Sequence, residues 1–361
     1  MKTWLRRLGW TALAAVALVA ILVLDFLRHG GQFRRLEPHF AGRCSAVPMA
    51  ASAEDIQLDR ARGLAYLSYL DRRAQVEGQP VLGTVMLLDL NRDDARPRPA
   101  LASDPPRFRP HGMSLYRAGD GGQRLFVISH PPGEDHVVEL FEQTATGAFA
   151  PVRSIRDPLL LDPNAIVAAG PEQFYVANDS GATHPIARFT ELVFRRGLSQ
   201  VVYFDGRTMR PVADGLKSAS GIAMSADGSR VFVSETMGNR VAVFERNAAS
   251  GDLRLLERVE LGSAPDNINV DADGAVWIAA HAKALALGMH FGNASSPAPT
   301  QVFRFRPEAR GAERLSEVYL DDGRQLSAGS VGAAYQKQLL IGSITERKIL
   351  LCRRPRADLA A

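Results

Sequence analysis

The chain has 361 residues, 46% hydrophobic and 23% charged, proportions that exclude disordered and fibrous classes. Its net charge of +4 is carried by the two ends: Lys2, Arg6, Arg7, Arg28, Arg34 and Arg35 at one, Arg353, Arg354 and Arg356 at the other. The body between them is mildly acidic without a basic stripe, which excludes the electrostatic footprint of a nucleic-acid binder.

The first element is the apolar run Leu8–Leu24, which Phe26 and Leu27 extend past Asp25. It reaches the roughly 17–25 residues a membrane-spanning helix needs. Lys2, Arg6 and Arg7 precede it, and Trp4 and Trp10 stand where interfacial aromatics belong. No small-x-small cleavage site leads into a polar mature start, so residues 1–35 read as a retained signal anchor. Residues 36–361 then form one body on the extracytoplasmic side, periplasmic or extracellular; a cleaved signal peptide is the alternative. Cys44 and Cys352 are the only cysteines and lie at the two ends of that body. Such placement predicts a disulfide in an exported protein, against the alternative of two unrelated buried thiols.

Along the body one unit recurs: a polar pair, an alternating apolar strand, a Gly/Asp turn, and a second apolar strand ending in polar residues. The apolar residue after each polar pair falls at Ile56, Met113, Ile166, Ile222, Ile268 and Val331. Intervals of this size match four-stranded propeller blades. Ala226-Asp227-Gly228 and Ala272-Asp273-Gly274 are hairpin turns. Third strands follow at Gly83–Leu90, Val137–Phe141, Val201–Phe204, Val241–Phe244 and Val302–Phe305. The expected fold is an all-β, six-bladed β-propeller, preceded by one hydrophobic helix and closed by pairing of its first and last strands beside Cys44 and Cys352. Ala182–Gly197 has the apolar spacing of a short helix, and Gly288–Pro299 reads as a Gly/Ser/Pro-rich loop. Both are candidates for a lid, a membrane contact or a partner surface, and together with Asp71–Gly78, read as a loop, they are the channel-mouth loops in which specificity resides.

In an antiparallel hairpin the start of strand one lies beside the end of strand two. The repeat therefore brings Glu54, Asp55, His111, Asn164, Ser220, Asp266 and Asn267 to one mouth of the channel. His130, Asn178, Asp179, Glu235 and His281 arrive there from strand ends. Carboxylates and amides are hard oxygen donors, suited to Ca²⁺ rather than to thiophilic metals. One polar residue at a strand end is as often a turn-former; six blades contributing at one register is harder to attribute to turns. Neither an H-E-x-x-H nor a G-x-S-x-G motif occurs. His111 and His130, from one blade, are structural residues or a general-base pair.

These residues resemble the paraoxonase/arylesterase family, calcium-dependent six-bladed lactonases and esterases with two calcium ions in the channel. The resemblance spans Cys44 to Cys352. It is carried by Ala53-Glu54-Asp55, Leu87-Leu88-Asp89-Leu90-Asn91 and Arg109-Pro110-His111-Gly112-Met113-Ser114. Ser129-His130-Pro131, Val138-Glu139-Leu140-Phe141, the run Asn164–Glu172 and Asp266-Asn267-Ile268-Asn269-Val270-Asp271 extend it. It implies Glu54, Asn164, Asp266 and Asn267 as ligands of a catalytic calcium, with Ser220 where the family has Asn. It implies Asp55 and the Met113 carbonyl at a second, structural calcium, where Ala165 replaces the family's Asp. It further implies His111 as base and His130 as its partner, with Asp179 and His281 lining the mouth and Ser180 standing where the family has His. The expected activity is calcium-dependent hydrolysis of lactones and aryl esters, small molecules, by a protein attached to the membrane through its helix. The alternatives are a gluconolactonase- or strictosidine-synthase-like enzyme and a non-catalytic binding propeller.

Overall fold

The structure, a computed structural model, describes residues 2–92 and 94–354, so Arg356 of the basic tail lies outside the described residues. Its strands form six antiparallel sheets. The first strand of each blade contacts the first strands of both neighbours, so these six surround a central channel. They are Ser52–Asp59, Pro110–Arg117, Pro163–Ala168, Ala219–Met224, Ala264–Val270 and Gly329–Tyr335, defining blades one to six. Each is paired outward with the second strand predicted for it.

The strands read as continuous apolar runs because both faces of a blade are buried. On Phe174–Asn178 in blade three, Phe174 and Val176 pack against Phe126, Ile128, Val138 and Leu140 of blade two. Tyr175 and Ala177 point the other way, against Val231, Val233 and Phe244 of blade four. The period-2 alternation thus divides one strand between two inter-blade cores. The other four interfaces are filled in the same manner.

Ring closure is as expected. The outer strand of blade six is the early segment Arg43–Pro48, antiparallel to Lys348–Arg353, with Cys44 opposite Cys352 and the two joined as a disulfide. A second early segment, His39–Phe40, adds a fifth strand to blade five.

Among the described residues, four α-helices accompany the sheets. Helix α1 covers Lys2–His29, and its stretch Gly9–His29 is long and apolar enough for a membrane span or a signal sequence. Helices α2 (Arg72–Val76), α3 (Pro185–Phe194) and α4 (Ala284–Gly292) link second to third strands in blades one, three and five. That connection opens where the inner strand starts, so all three helices lie around one mouth. The predicted helix within 182–197 is α3, with Pro185 at its first turn and His184 capping the Ile186 N–H. Two readings need correction. The span 71–78, expected as loop, holds α2, whose start is capped by the Asp71 carboxylate accepting from the Ala74 N–H (3.1 Å). In 288–299, only the part beyond Gly292 is loop, because Ala284-Leu285-Ala286-Leu287 starts a helix that runs through Gly288. The α1 end docks on this mouth: Asn239 donates to the His29 carbonyl (2.8 Å), the Ala284 N–H to that of Gly30 (2.9 Å), and Asp25 pairs with Arg195 just past the end of α3.

Candidate active site

Each inner strand slips register at the same place, just after its start. The shift falls between Ala53 and Ile56, Pro110 and Met113, Pro163 and Ala165, Ala219 and Gly221, Pro265 and Ile268, and Gly329 and Val331. The residues within these bulges are Glu54-Asp55, His111-Gly112, Asn164, Ser220, Asp266-Asn267 and Ser330. A β-bulge re-aims side chains that a regular strand would hand to alternate faces. This is how consecutive residues, Glu54-Asp55 and Asp266-Asn267, both serve the channel. Gly112 and Gly221 follow His111 and Ser220 because the next blade's bulge comes close: a Cβ there would lie 2.3 Å from the carbonyl oxygens of Asn164 and Asp266, respectively.

Glu54 is at the centre of the cluster. Its Oε1 accepts from Asn267 Nδ2 (2.6 Å), while its Oε2 is buried with no hydrogen-bond partner. His111 Nε2 approaches that oxygen at 3.6 Å and Arg72 Nη2 at 3.9 Å. Arg72 comes from α2, is itself buried, and donates to the Pro110 carbonyl (2.7 Å). Burial raises the Glu54 carboxyl above its ordinary range, opposed by Arg72 and the Asn267 amide. Burial likewise raises Asp266, opposed by His281, whose Nε2 lies 3.0 Å from Asp266 Oδ2. Asn164 Oδ1 is a second buried oxygen without a partner. The Ser220 hydroxyl is bonded to Thr236 of its own blade and to the Pro265 carbonyl (3.3 Å) of blade five.

Asp55 differs from Glu54. Its two oxygens accept from the Ile56 and Met113 N–H groups, each at 2.7 Å, and from Gln57. Burial, with Glu54 adjacent, pushes its carboxyl up to about 7. Met113 meets Asp55 through its N–H, and Ala165 is a buried methyl.

The histidines extend beyond the expected pair. His111 Nδ1 lies 2.9 Å from His130 Nε2, and His130 Nδ1 lies 2.8 Å from Nδ1 of His136. Burial above all, then the Arg72 charge, pushes the His111 imidazolium down to about 3, so the ring is neutral at physiological pH. Sequence reading passed over His136, Arg72 and Thr236. The signal for His136 was a third histidine just past the Pro131-Pro132-Gly133 turn.

Two strand-end residues are drawn elsewhere. Asn178 ties down the preceding loop through the Asp162 N–H (3.1 Å) and the Leu159 carbonyl (3.0 Å). Glu235 is held by Arg240 (2.9 Å) and Arg258 (2.9 Å), which keep its carboxyl low against the effect of its burial. Asp179 accepts from the Ser218 hydroxyl and lines a cavity of about 170 Å³ beneath α3, with Asp162, Arg188 and Glu191. Burial, helped by Asp162, Asp266 and Glu191, pushes Asp179 up to about 6. A carboxyl raised in the folded state contributes stability that is lost as pH climbs through that value. Asp179→Asn is therefore expected to raise the melting temperature near pH 8 in EGTA and to leave it unchanged near pH 4. Calorimetry at the two pH values checks this; an equal shift at both would refute it.

Comparison with known proteins gives this arrangement its relatives. Residues 77–353 match the Arylesterase family. Human serum paraoxonase/arylesterase 1 is 29% identical over 334 residues, covering 88% of this chain and 91% of that protein. Human serum paraoxonase/lactonase 3 is 29% identical over 348 residues, covering 93% and 96%. Among solved structures, the calcium-binding protein regucalcin of Agrobacterium tumefaciens superposes with a TM-score of 0.51 at 14% identity, covering 88% of this chain and 96% of that one, a likeness of fold. With the family matched across five of the six blades and the relatives spanning nearly the whole ring, this chain belongs to the arylesterase family, whose named relatives are paraoxonases, arylesterases and lactonases.

Proposed function

We propose that the protein hydrolyses lactones and aryl esters at this mouth in a calcium-dependent reaction. The observation that carries the reading is the pair of buried, unpartnered oxygens, Glu54 Oε2 and Asn164 Oδ1, accompanied by the carboxyl groups of Glu54 and Asp266 raised by burial. Buried acceptors without partners are costly, and a cation satisfies them and restores both carboxylates. Among the described residues no three acidic, His or Cys side chains form a ready metal cluster. The donor set here is two carboxylates with the Asn164 and Asn267 amides, hard oxygens that fit Ca²⁺. Ser220 is a weaker donor, its hydroxyl already engaged. The residues present do not fit a second ion, because Asp55 is satisfied by backbone N–H groups and Ala165 offers no donor. That favours a one-ion site, as a gluconolactonase-like enzyme would need; the His111–His130 pair favours the esterase reading.

When bound, the ion supplies Lewis-acid polarisation of the ester carbonyl. Glu54, Asn164, Asp266 and Asn267 would hold it, with His281 orienting Asp266. His111 takes the proton of the attacking water at Nε2, and its Nδ1 contact with His130 fixes the ring. Arg72 lends positive charge beside Glu54.

The mouth also faces a membrane in this reading. Ile186, Phe189, Leu192 and Phe194 of α3 are exposed, as is the apolar run of α1 that docks beside them. Residues 1–35 act as anchor to the propeller that follows, on the extracytoplasmic side, and poorly soluble esters reach the channel from the lipid surface. The test is an activity panel of lactones and aryl acetates with calcium and with EGTA. Hydrolysis that EGTA abolishes and calcium restores is expected; full activity in EGTA would refute the calcium reading. No bound ion and no activity across the panel would leave a binding propeller.

A further inference from the structure

We propose that His136 is the outer member of a three-imidazole relay that moves a proton between the channel and the protein's exterior. The inference rests on the reading that His111 faces the ester being hydrolysed. Its ground is the unbroken contact His111 Nδ1 to His130 Nε2 (2.9 Å) and His130 Nδ1 to His136 Nδ1 (2.8 Å). Each nitrogen–nitrogen contact needs one N–H and one lone pair, so the tautomers of the three rings are coupled. With the lone pair of His111 at Nε2, His111 donates through Nδ1 to His130, and His130 through Nδ1 to His136. His136 then carries its own N–H at Nε2, the nitrogen left over on a half-exposed ring.

When the attacking water gives a proton to His111 Nε2, the Nδ1 proton of His111 passes to His130 Nε2. The Nδ1 proton of His130 passes to His136 Nδ1, and the Nε2 proton of His136 leaves to solvent. One proton enters and one departs, and no ring has to remain a cation. The reverse shift returns a proton from His111 Nε2 to the departing alkoxide while His136 Nε2 takes one from water, which resets the tautomers. The same chain therefore serves as base in the first half of the hydrolysis and as acid in the second. The groups facing His136 are His130 from the second strand of its blade, Asp135 on its own loop, Asp162 before blade three and Arg188 on α3. Asp162 and Arg188 also line the cavity beneath α3, and Arg188 pairs with Asp162 (3.1 Å), so the outer end of the chain meets a charged, partly open space. His136 does not touch the reacting atoms; it is a positioning and relay residue acting through His130.

The test is steady-state kinetics of the full chain and its His136→Asn and His136→Gln variants, with folding checked by circular dichroism. Either amide can accept the His130 N–H yet cannot pass a proton on. A loss in kcat of about 100-fold with KM unchanged is expected, the low end of what an acid–base step contributes. Adding free imidazole should restore part of the rate in the variants and none in the parent, a response a structural role would not produce. Variants with the parent's kcat, or a loss that imidazole leaves untouched, would overturn the relay alone. A parent inactive on every lactone and aryl ester would instead overturn the functional reading, and the relay with it.

Discussion

Asp266→Ala and Glu54→Ala are expected to lose both calcium binding and hydrolysis, whereas Ser220→Asn should tighten calcium binding modestly. Affinity for Ca²⁺ follows the charge and rigidity of the ligand set, and these two residues supply its negative charge. The structure separates the two losses. Glu54 also accepts from Asn267 and stands beside the buried Arg72. Removing it leaves the buried Arg72 cation without its carboxylate neighbour, at a cost of roughly 3–5 kcal/mol, while the Asn267 amide keeps its bond to the Glu54 backbone carbonyl (3.2 Å). Asp266→Ala removes the contacts with His281 and the Asn267 N–H but strands no buried cation, so it is the cleaner probe, and Asp266→Asn keeps the shape while removing the charge. Calorimetric titration of calcium into these variants and the parent, alongside lactone turnover, reads both effects. Should Asp266→Asn or Asp266→Ala bind calcium as tightly as the parent, the channel site proposed for these residues does not exist.

The Cys44→Ser/Cys352→Ser double variant is expected to be the least stable of the conservative substitutions outside the site. The bridge spans 308 residues of sequence and fastens an outer strand, Arg43–Pro48, whose residues are half-buried at best. Cross-linking so long a loop constrains the unfolded chain by about 6 kcal/mol in the chain-entropy account. The same bond holds the ring shut, because blade six otherwise depends on one exposed strand. A fall of roughly 10 °C in melting temperature is expected from a loss of that size. Differential scanning calorimetry of the double variant, and of the parent in reductant, checks this. A variant melting with the parent would show that the pairing of Arg43–Pro48 with Lys348–Arg353 closes the ring unaided.

The ring and its number of blades were legible in the sequence, because a strand buried on both faces leaves a local trace. Phe174-Tyr175-Val176-Ala177 has to alternate between two cores wherever it lies, and the Gly-containing turns mark its hairpin partner. Six such traces and one cysteine at either end state the architecture without any long-range information. The site was legible only as a set of positions. A bulge is a shift of one or two residues in register against a partner strand, and nothing in Asp266-Asn267 itself says that both will serve the channel. Ser220 looked like an open ligand position, yet Thr236 and the Pro265 carbonyl claim its hydroxyl, a contact between the turn after one strand of blade four and the inner strand of blade five. Arg72 was hidden in a stretch read as loop until α2 turned it under Glu54. His136 lay in plain view, but its meaning depends on a 2.8 Å approach to His130 that a tight turn permits and only the packed blade enforces. Local alternation is dictated by burial and survives in the sequence; convergence of side chains from different blades depends on register and packing, which exist only once the ring has closed.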